Sequence, residues 1–253
     1  MCRRICAIRE GGGQIDIPRG LTVSRACELR HFAAVTKRAT LRGMKRMVLG
    51  LAVSLLLCAC GKEGSGRAAT DSRSVAAFQN VEVDGAVNLE VTLGAASHAV
   101  EVHGDDNLLS LVETNVVGDR LVIRTRERVD PEVGLTARVS APDLQEIKAS
   151  GISKVGVGGV SNEALRLELS GAGDIEAKGK TKKLTLEVSG AGGIDADELQ
   201  AEKVEIDMSG AGTIDVAEPK ELIVRISGAG SVRYGGQPKI QKDISGAGKL
   251  VQR

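Results

Sequence analysis

The chain has 253 residues, of which only 1% are aromatic and 32 are glycine, which favours one or two domains with an aliphatic core and many tight corners. The first 59 residues hold 11 of the 34 basic and 3 of the 33 acidic residues, so the rest carries a net charge of about −7 and is a poor candidate for binding nucleic acid. All five cysteines lie at or before position 60, which excludes a disulfide framework and the usual zinc sites from the rest of the chain.

Residues 1–43 are rich in arginine and cysteine and show no hydrophobic period. They stand in front of Lys45 and Arg46, the kind of charged pair that normally lies at the start of an export signal. We therefore expect the natural chain to start at Met44 or Met47. The preceding residues are then a mis-called or disordered extension.

Residues 44–59 have the features of a bacterial signal peptide. The charged start is followed by an apolar run of about ten residues, which suits a signal and is too short to span a bilayer as a helix. The run ends in Leu57-Cys58-Ala59-Cys60, which resembles the lipobox of bacterial lipoproteins. The resemblance implies that the signal is cleaved after Ala59 and that the thiol of Cys60 carries a diacylglycerol.

A lipid on Cys60 would anchor the mature chain to a membrane. Several acyl chains on one cysteine give stable attachment, whereas a single chain holds a protein only marginally. Gly61 follows Cys60 in place of an aspartate, so the resemblance also implies the outer membrane of a Gram-negative bacterium. Cys58 stands where lipoboxes more often have Ser, Thr, Ala or Val, so an ordinary secretory signal or a short anchor helix remains the alternative.

The chain after Cys60 reads GKEGSGRAATDSRS, a run of small and polar residues. This composition is typical of a flexible coil. We expect residues 60–74 to form a flexible tether that lifts the following domain, residues 75–253, off the membrane.

Residues 75–140 alternate between apolar and polar residues in short runs that are broken by Gly, Asp and Asn. A period of two predicts strands with one buried face, and VVGDRL at positions 116–121 suits a tight turn. No amphipathic helix is evident after residue 60. We expect a β-rich first part that continues into the repeats described next.

The tetrapeptide Ser-Gly-Ala-Gly recurs five times at nearly equal intervals. Its copies begin at Ser170, Ser189, Ser209, Ser227 and Ser245. Aliphatic residues stand one, three and five positions before almost all of these serines, and another stands five positions after each, with mostly polar residues between. SGISKVGV at positions 150–157 resembles a sixth, degenerate copy. The pattern predicts two short strands per repeat, joined at the Gly-Ala-Gly corner.

A nearly fixed period predicts a solenoid, and the fold that fits best is an all-β parallel β-helix with about 18–20 residues per coil. Successive coils would stack at about 4.8 Å. Glycine at the corners permits positive φ and close stacking of one corner on the next. We expect the alanine to face the core and the serines to form a column from coil to coil.

Three features of the chain together resemble the DUF2807 family, also called the head GIN domain of autotransporter adhesins. They are FQNVEVDGAVNLEVTLG, VEVHGDDNLLSLVETNVVGDRLVIRT and the SGAG repeats, which occur in the family's order over residues 78–251. The resemblance implies a right-handed β-helix in an exported bacterial protein and an adhesive role. It brings no catalytic residue to this sequence.

No position in the mature chain predicts a metal or cofactor site. In SHAVEVHG, His98 and His103 point to opposite faces of one strand and cannot share a metal ion. The neighbouring Asp105 and Asp106 suit a turn. A calcium-binding repeat would need an aspartate in every copy, and Arg233 stands where earlier copies have an acid.

Four arginines near the middle of the chain form a basic stripe in sequence: Arg120, Arg124, Arg126 and Arg128. The plainer interpretation is a solvated strand face. The functional interpretation is that the arginines contact phosphates of anionic envelope material such as lipopolysaccharide or teichoic acid.

The sequence favours a non-catalytic, lipid-anchored envelope protein that presents a rigid β-helical surface for adhesion or for contact with an unidentified envelope protein or glycan. One alternative is a polysaccharide-active β-helix enzyme, and another is an accessory lipoprotein of envelope stress or assembly. A long groove lined by clustered acids and a Lys or Arg would favour the enzyme, whereas a flat polar face would favour the binding protein. Only Phe78 and Tyr234 could offer aromatic platforms to a sugar in the mature chain.

Overall fold

The computed structural model describes residues 61–253. The predicted extension, the signal and Cys60 lie outside this range. The described part is all-β apart from one turn of 3-10 helix, Leu109–Leu111, so the predicted fold class is confirmed. Within the same range, no helix is both long enough and apolar enough to cross a bilayer.

Nineteen strands make up the described structure. The first ten are β1 (Lys62–Glu63), β2 (Ala68–Arg73), β3 (Asn80–Asp84), β4 (Asn88–Leu93), β5 (Ala99–Asp105), β6 (Val112–Val117), β7 (Arg120–Thr125), β8 (Val129–Asp130), β9 (Thr136–Ala141) and β10 (Glu146–Ala149). The remaining nine are β11 (Lys154–Leu169), β12 (Asp174–Val188), β13 (Ala191–Ala196), β14 (Leu199–Met208), β15 (Ala211–Val216), β16 (Glu221–Ile226), β17 (Ser231–Tyr234), β18 (Lys239–Ile244) and β19 (Lys249–Gln252).

The strands stack into two long sheets that meet at the Gly-Ala-Gly corners. A short third ladder pairs residues 160–162, 179–181 and 199–201 of successive coils, and together the ladders form a β-solenoid. Face A consists, in spatial order, of β6, β7, β3, β10, the second halves of β11 and β12, β14, β16 and β18. Face B consists of β2, β5, β9, β4, the first halves of β11 and β12, β13, β15, β17 and β19. All pairings after β3 in face A and after β4 in face B are parallel.

The register confirms the predicted coil length. On face A the partners Glu146, Arg166, Thr185, Glu205, Ile223 and Gln241 lie side by side on successive coils. Their numbers advance by one repeat at each step, in agreement with the spacing of the SGAG serines. The aliphatic residues that alternate with these positions point inward and form the core, as the period of two predicts.

The Gly-Ala-Gly corners stack more tightly than any side chain allows. A Cβ on Gly190 would lie 1.8 Å from the carbonyl oxygen of Gly171 one coil earlier, and one on Gly210 would lie 2.0 Å from that of Gly190. None of the glycines in these tetrapeptides has a positive φ. Glycine is therefore required by the close stacking of the corners and not by a left-handed backbone conformation. The prediction that the alanine faces the core is wrong, because Ala191 and Ala211 point to solvent.

The first part of the domain joins the same solenoid, as predicted, but its coils are not stacked in chain order. On face A, β3 lies between two strands that come later in the chain, since Val81 pairs with Leu121 of β7 on one side and with Ile147 of β10 on the other. On face B, β4 lies in the same way between β9 and β11. The coil that contains β7 and β9 is therefore placed outside the coil that contains β3 and β4.

The prediction of a flexible tether at residues 60–74 is wrong for its described part. Strand β1 pairs in parallel with β8, and β2 pairs with β5 in antiparallel fashion along its whole length. We call residues 61–73 the leading segment. Together with β6 and the 3-10 helix it covers one end of the solenoid, which we call the leading end. Its small polar residues take part in hydrogen bonds instead of forming a coil.

Candidate functional site: the outer faces of the solenoid

Face A presents a ladder of ion pairs that runs across successive coils. Arg120 contacts Glu82 at 3.4 Å and Glu146 at 2.6 Å. Arg166 in turn contacts Glu146 at 3.2 Å and Glu187 at 2.5 Å. Because parallel strands in register place outward side chains one above another, residues of opposite charge from neighbouring coils meet. The outer surface of face A is thus charged and internally paired.

Further pairs extend this ladder and shift the pKa of their members. Hydrogen bonding to Glu168, 2.9 Å away, raises the pKa of Lys148 above its usual value. Hydrogen bonding to Lys183, with a smaller contribution from Lys203, lowers the pKa of Glu205. Both pairs favour the charged forms at neutral pH.

Face B carries a groove of about 640 Å³ that crosses several coils. Its floor includes Gly156 and Gly193, which have no side chains to fill it. Five acids and one lysine line it: Glu90, Lys154, Asp174, Glu176, Asp195 and Asp215. The lining of this groove therefore carries an excess of negative charge.

Most of the groove's carboxylates already have partners. Asp215 is only 8% exposed and accepts a hydrogen bond of 2.5 Å from Arg233. Glu176 contacts Lys178 at 2.8 Å, and Glu90 accepts from Arg138 at 2.9 Å. These pairs neutralise part of the groove's charge and hold its side chains in place.

A second groove of about 730 Å³ is lined by the turns that follow β13, β15 and β17 and by Lys180, Thr181, Gln200 and Ala201 of β12 and β14. Arg253 lies along it, forms an ion pair with Asp197 and donates a hydrogen bond of 3.0 Å to the carbonyl of Val216. The hydrogen bond to Asp197 raises the pKa of Arg253 above its usual value. This contact ties the last described residue to two earlier coils.

The structure separates the four arginines that the sequence groups together. Arg120 belongs to the ladder of face A, and Arg124 and Arg126 both donate to the carboxylate of Glu113, at 2.8 and 2.7 Å. These two contacts lower the pKa of Glu113, with the Arg126 hydrogen bond as the largest cause. Arg128 is exposed, and its backbone carbonyl pairs with the leading segment. The geometry therefore does not present them as one stripe.

The two histidines of the mature chain are used separately. The imidazole of His98 lies 2.8 Å from the carbonyl oxygen of Phe78 and packs edge-on against its ring at 4.6 Å. That of His103 lies 3.0 Å from the hydroxyl of Thr70. Across residues 61–253, no group of three or more His, Cys, Asp or Glu side chains is arranged to hold a metal ion.

Sequence reasoning misses the structural importance of Asp105. The local pattern predicts only a turn residue, yet the side chain is fully buried, and its carboxylate accepts three backbone hydrogen bonds. Two donors lie in the loop after β8 and one lies in the leading segment. Because these donors come from distant parts of the chain, they leave no local signal in the sequence.

Comparison with known proteins agrees with this architecture. Residues 77–238 match the model of the DUF2807 family, which is described as "Putative auto-transporter adhesin, head GIN domain". The chain belongs to this family. No curated protein matches the chain.

Two crystal structures of bacterial proteins resemble this DUF2807 chain in fold. A "putative adhesin" from Bacteroides fragilis NCTC 9343 has a TM-score of 0.64 at 21% identity and covers 76% of this chain and 100% of its own. Another from Parabacteroides merdae ATCC 43184 has a TM-score of 0.50 at 18% identity and covers 76% of this chain and 98% of its own. At these identities the likeness supports the fold.

Proposed function

We propose that this DUF2807 protein is a non-catalytic surface protein, anchored through a lipid on Cys60, whose outer faces mediate adhesion or contact with an envelope protein or glycan. The observation that carries the proposal is the paired, outward-facing charge ladder of face A on a solenoid with a continuous core. Ion pairs between coils fix the outward side chains, so a partner meets a preformed surface. The adhesin description of the family supports the same role.

Adhesion of whole cells tests the proposal. Cells that lack the protein should adhere less than wild-type cells, to abiotic surfaces or to each other. The wild-type gene should restore adhesion, whereas a Cys60→Ser variant, which has lost the acylated thiol, should not. Unchanged adhesion after deletion would contradict the proposal, and full rescue by Cys60→Ser would contradict the anchor.

A second candidate is the polysaccharide-active enzyme, because the groove on face B has clustered acids and Lys154, the feature expected of such a site. Glu176, Asp195 and their neighbours would have to supply an acid and a base across a sugar chain. No aromatic side chain lines the groove to support a sugar ring. Release of reducing ends from envelope polysaccharide by the wild-type protein, and its loss in Glu176→Gln, would establish this candidate over the first.

A further inference from the structure

The leading segment is fixed to the solenoid from its first residues. The backbone N–H of Lys62 donates to the carbonyl of Arg128 at 2.8 Å, and that of Gly64 donates to the backbone carbonyl of Asp130 at 2.9 Å. These two bonds continue into the parallel pairing of β1 with β8. Order therefore begins no later than the second residue after Cys60.

A buried carboxylate holds the next residues in place. The Asp105 side chain accepts a hydrogen bond of 2.7 Å from the N–H of Gly66 and others of 3.0 and 3.3 Å from Glu132 and Val133. A Cβ on Gly64 would lie 2.5 Å from the carboxyl carbon of Asp105, so the segment passes directly over it. A buried carboxylate with several backbone donors is a strong constraint.

The two residues after Asp105 add further bonds to the same segment. The Ser65 hydroxyl donates to Asp106 at 2.5 Å, and its backbone N–H donates to the Asn107 side chain at 3.0 Å. The Asn107 amide donates to the carbonyl of Glu63 at 2.9 Å. The Ser65 hydroxyl is also the largest cause that lowers the pKa of Asp106. Together these contacts leave no flexible spacer between Lys62 and β2.

The leading segment lies at the outermost level of the solenoid. Strand β2 is the last strand of face B, and β6 is the last strand of face A at the same end. The 3-10 helix connects β5 with β6 across that end. The chain that comes from Cys60 therefore joins the solenoid at one end and not along its side.

Only Gly61 separates Cys60 from the first hydrogen-bonded residue. Consecutive Cα atoms are about 3.8 Å apart, so the two-residue step from Cys60 to Lys62 allows at most about 8 Å of chain. A free coil of about 14 residues would instead span roughly 21 Å on average. A lipid on Cys60 would thus hold the leading end directly at the bilayer surface.

We propose that the leading end of the solenoid rests on the lipid headgroups of the membrane that holds the Cys60 anchor, with the coil of β18 and β19 directed away from it. This inference rests on the proposed lipid anchor. The nine strands of face A, at about 4.8 Å spacing, place the far coil roughly 38 Å from the leading end. The mature chain carries a net charge of about −7, so anionic headgroups repel it. This repulsion favours contact only at the end that the lipid holds at the bilayer.

Two single-cysteine variants test the orientation, because the mature chain has no cysteine other than the acylated one. Ser110→Cys places a fluorophore at the exposed position of the 3-10 helix at the leading end, and Ser245→Cys places it at an exposed position in the corner of the far coil. The lipidated variants are reconstituted into phosphatidylethanolamine and phosphatidylglycerol vesicles that contain a headgroup nitroxide. Since the labels differ in height by tens of ångströms, we expect quenching to be at least about twofold stronger at position 110.

A spacer variant provides the matched control. Insertion of a Gly- and Ser-rich spacer of about 14 residues between Gly61 and Lys62 keeps the lipobox and the fold but adds a free coil, which should reduce quenching at position 110 to the level at position 245. Equally strong quenching at both positions of the variants without the spacer would mean that the solenoid lies on its side. No quenching at either position would mean that it stands away from the bilayer. Either result overturns the proposal.

The mass of the intact mature protein is measured on the same samples. Acyl mass on Cys60 together with the wrong quenching pattern contradicts the orientation alone. Absence of acyl mass contradicts the lipid anchor of the proposed function, and the orientation falls with it.

Discussion

At the scale of single residues, the corner glycines are the strictest requirement of the fold. Their carbonyl and Cα groups stack at distances that exclude a Cβ, as at Gly190 over Gly171. The neighbouring Ala191 is exposed and meets no such limit. Within one tetrapeptide, Gly190 therefore tolerates no side chain, whereas the neighbouring Ala191 should tolerate many.

Substitution of a corner glycine should therefore be far more damaging than substitution of its neighbour. We expect Gly190→Ala to lower the free energy of unfolding by at least about 2 kcal/mol, because a backbone oxygen must move to admit the methyl group. The matched variant Ala191→Ser should change it by less than about 0.5 kcal/mol. Urea unfolding followed by circular dichroism compares the two, and equal stability of both variants would contradict the close stacking.

The charge ladder of face A should make stability depend on pH in two windows. The pKa of Glu205 is lowered from 4.5 in the folded state, so its contribution is complete above pH 4.5 and disappears as the pH falls through the lower folded value. The pKa of Lys148 is raised from 10.5, so its contribution is complete below pH 10.5 and disappears as the pH rises through the higher value.

Two neutral substitutions separate these windows. Glu205→Gln should flatten the acid decline and leave the alkaline one, and Lys148→Gln should do the reverse. Each effect should be less than about 1 kcal/mol, since the side chains are partly exposed. Urea midpoints measured across the pH range check this, and a Glu205→Gln profile identical to that of the wild type would show that the pair contributes nothing.

The two cysteines of the predicted lipobox should behave differently. Metabolic labelling with an alkyne fatty acid should mark the wild-type protein and the Cys58→Ser variant, because serine is common at that position of the pattern. Cys60→Ser should carry no label and should accumulate unprocessed, since the acylated thiol is missing. Label on Cys60→Ser would contradict the assignment of the anchor.

At the scale of elements, the leading segment differs most from what the sequence predicts. Its hydrogen bonds predict slow amide exchange at Gly64, Gly66 and along β2, comparable with that of the neighbouring β5. Exchange measured by mass spectrometry or NMR on the folded protein checks this. Exchange as fast as that of an unstructured peptide would mean that the segment is a tether after all.

The buried carboxylate should control this protection. Asp105→Ala leaves three backbone donors without an acceptor, which should cost on the order of 2 kcal/mol, or about thirtyfold in the local exchange rate. Asp119→Ala removes an exposed carboxylate that accepts from the Asn80 side chain and serves as the control. Similar exchange in both variants would contradict a special role for Asp105.

The repeats can be predicted from the sequence because each copy carries the same information. Period-two alternation assigns the inward residues, and the spacing of the serines fixes the coil length that the register of β12 with β14 confirms. The insertion of β3 between β7 and β10 cannot be predicted, since single pairings between strands so far apart in the chain leave no period. The ion pairs of face A can be predicted in part, because Glu146 and Arg166 are one coil apart in the sequence and have opposite charges.

The corner and the leading segment depart from the sequence-based prediction for physical reasons. Glycine suggests positive φ, but a packed corner also demands glycine where a backbone oxygen of the preceding coil leaves no room for a Cβ. Small polar residues suggest a coil, but Ser65 and its neighbours are equally suited to bonds with Asp106 and Asn107 when a distant loop supplies them. Composition alone cannot distinguish the two.

At the scale of the whole solenoid, residues 61–253 present two outer faces of different character. Face A is charged and largely paired, whereas face B has a groove with an excess of carboxylates. A surface that makes specific contacts should be sensitive to reversal of its charges, because like charges placed opposite a partner are costly. A scaffold that makes no contacts should not be sensitive to such reversal.

Adhesion of cells that display charge-reversed solenoids is the most direct test of the central claim. One variant carries Glu176→Lys and Asp195→Lys on face B, and another carries Arg166→Glu on face A, with surface amount and folding verified for each. We predict that at least one of them lowers adhesion by about tenfold or more, equivalent to about 1.4 kcal/mol at the contact. Wild-type adhesion by both variants would contradict the claim that the outer faces of the solenoid perform the function.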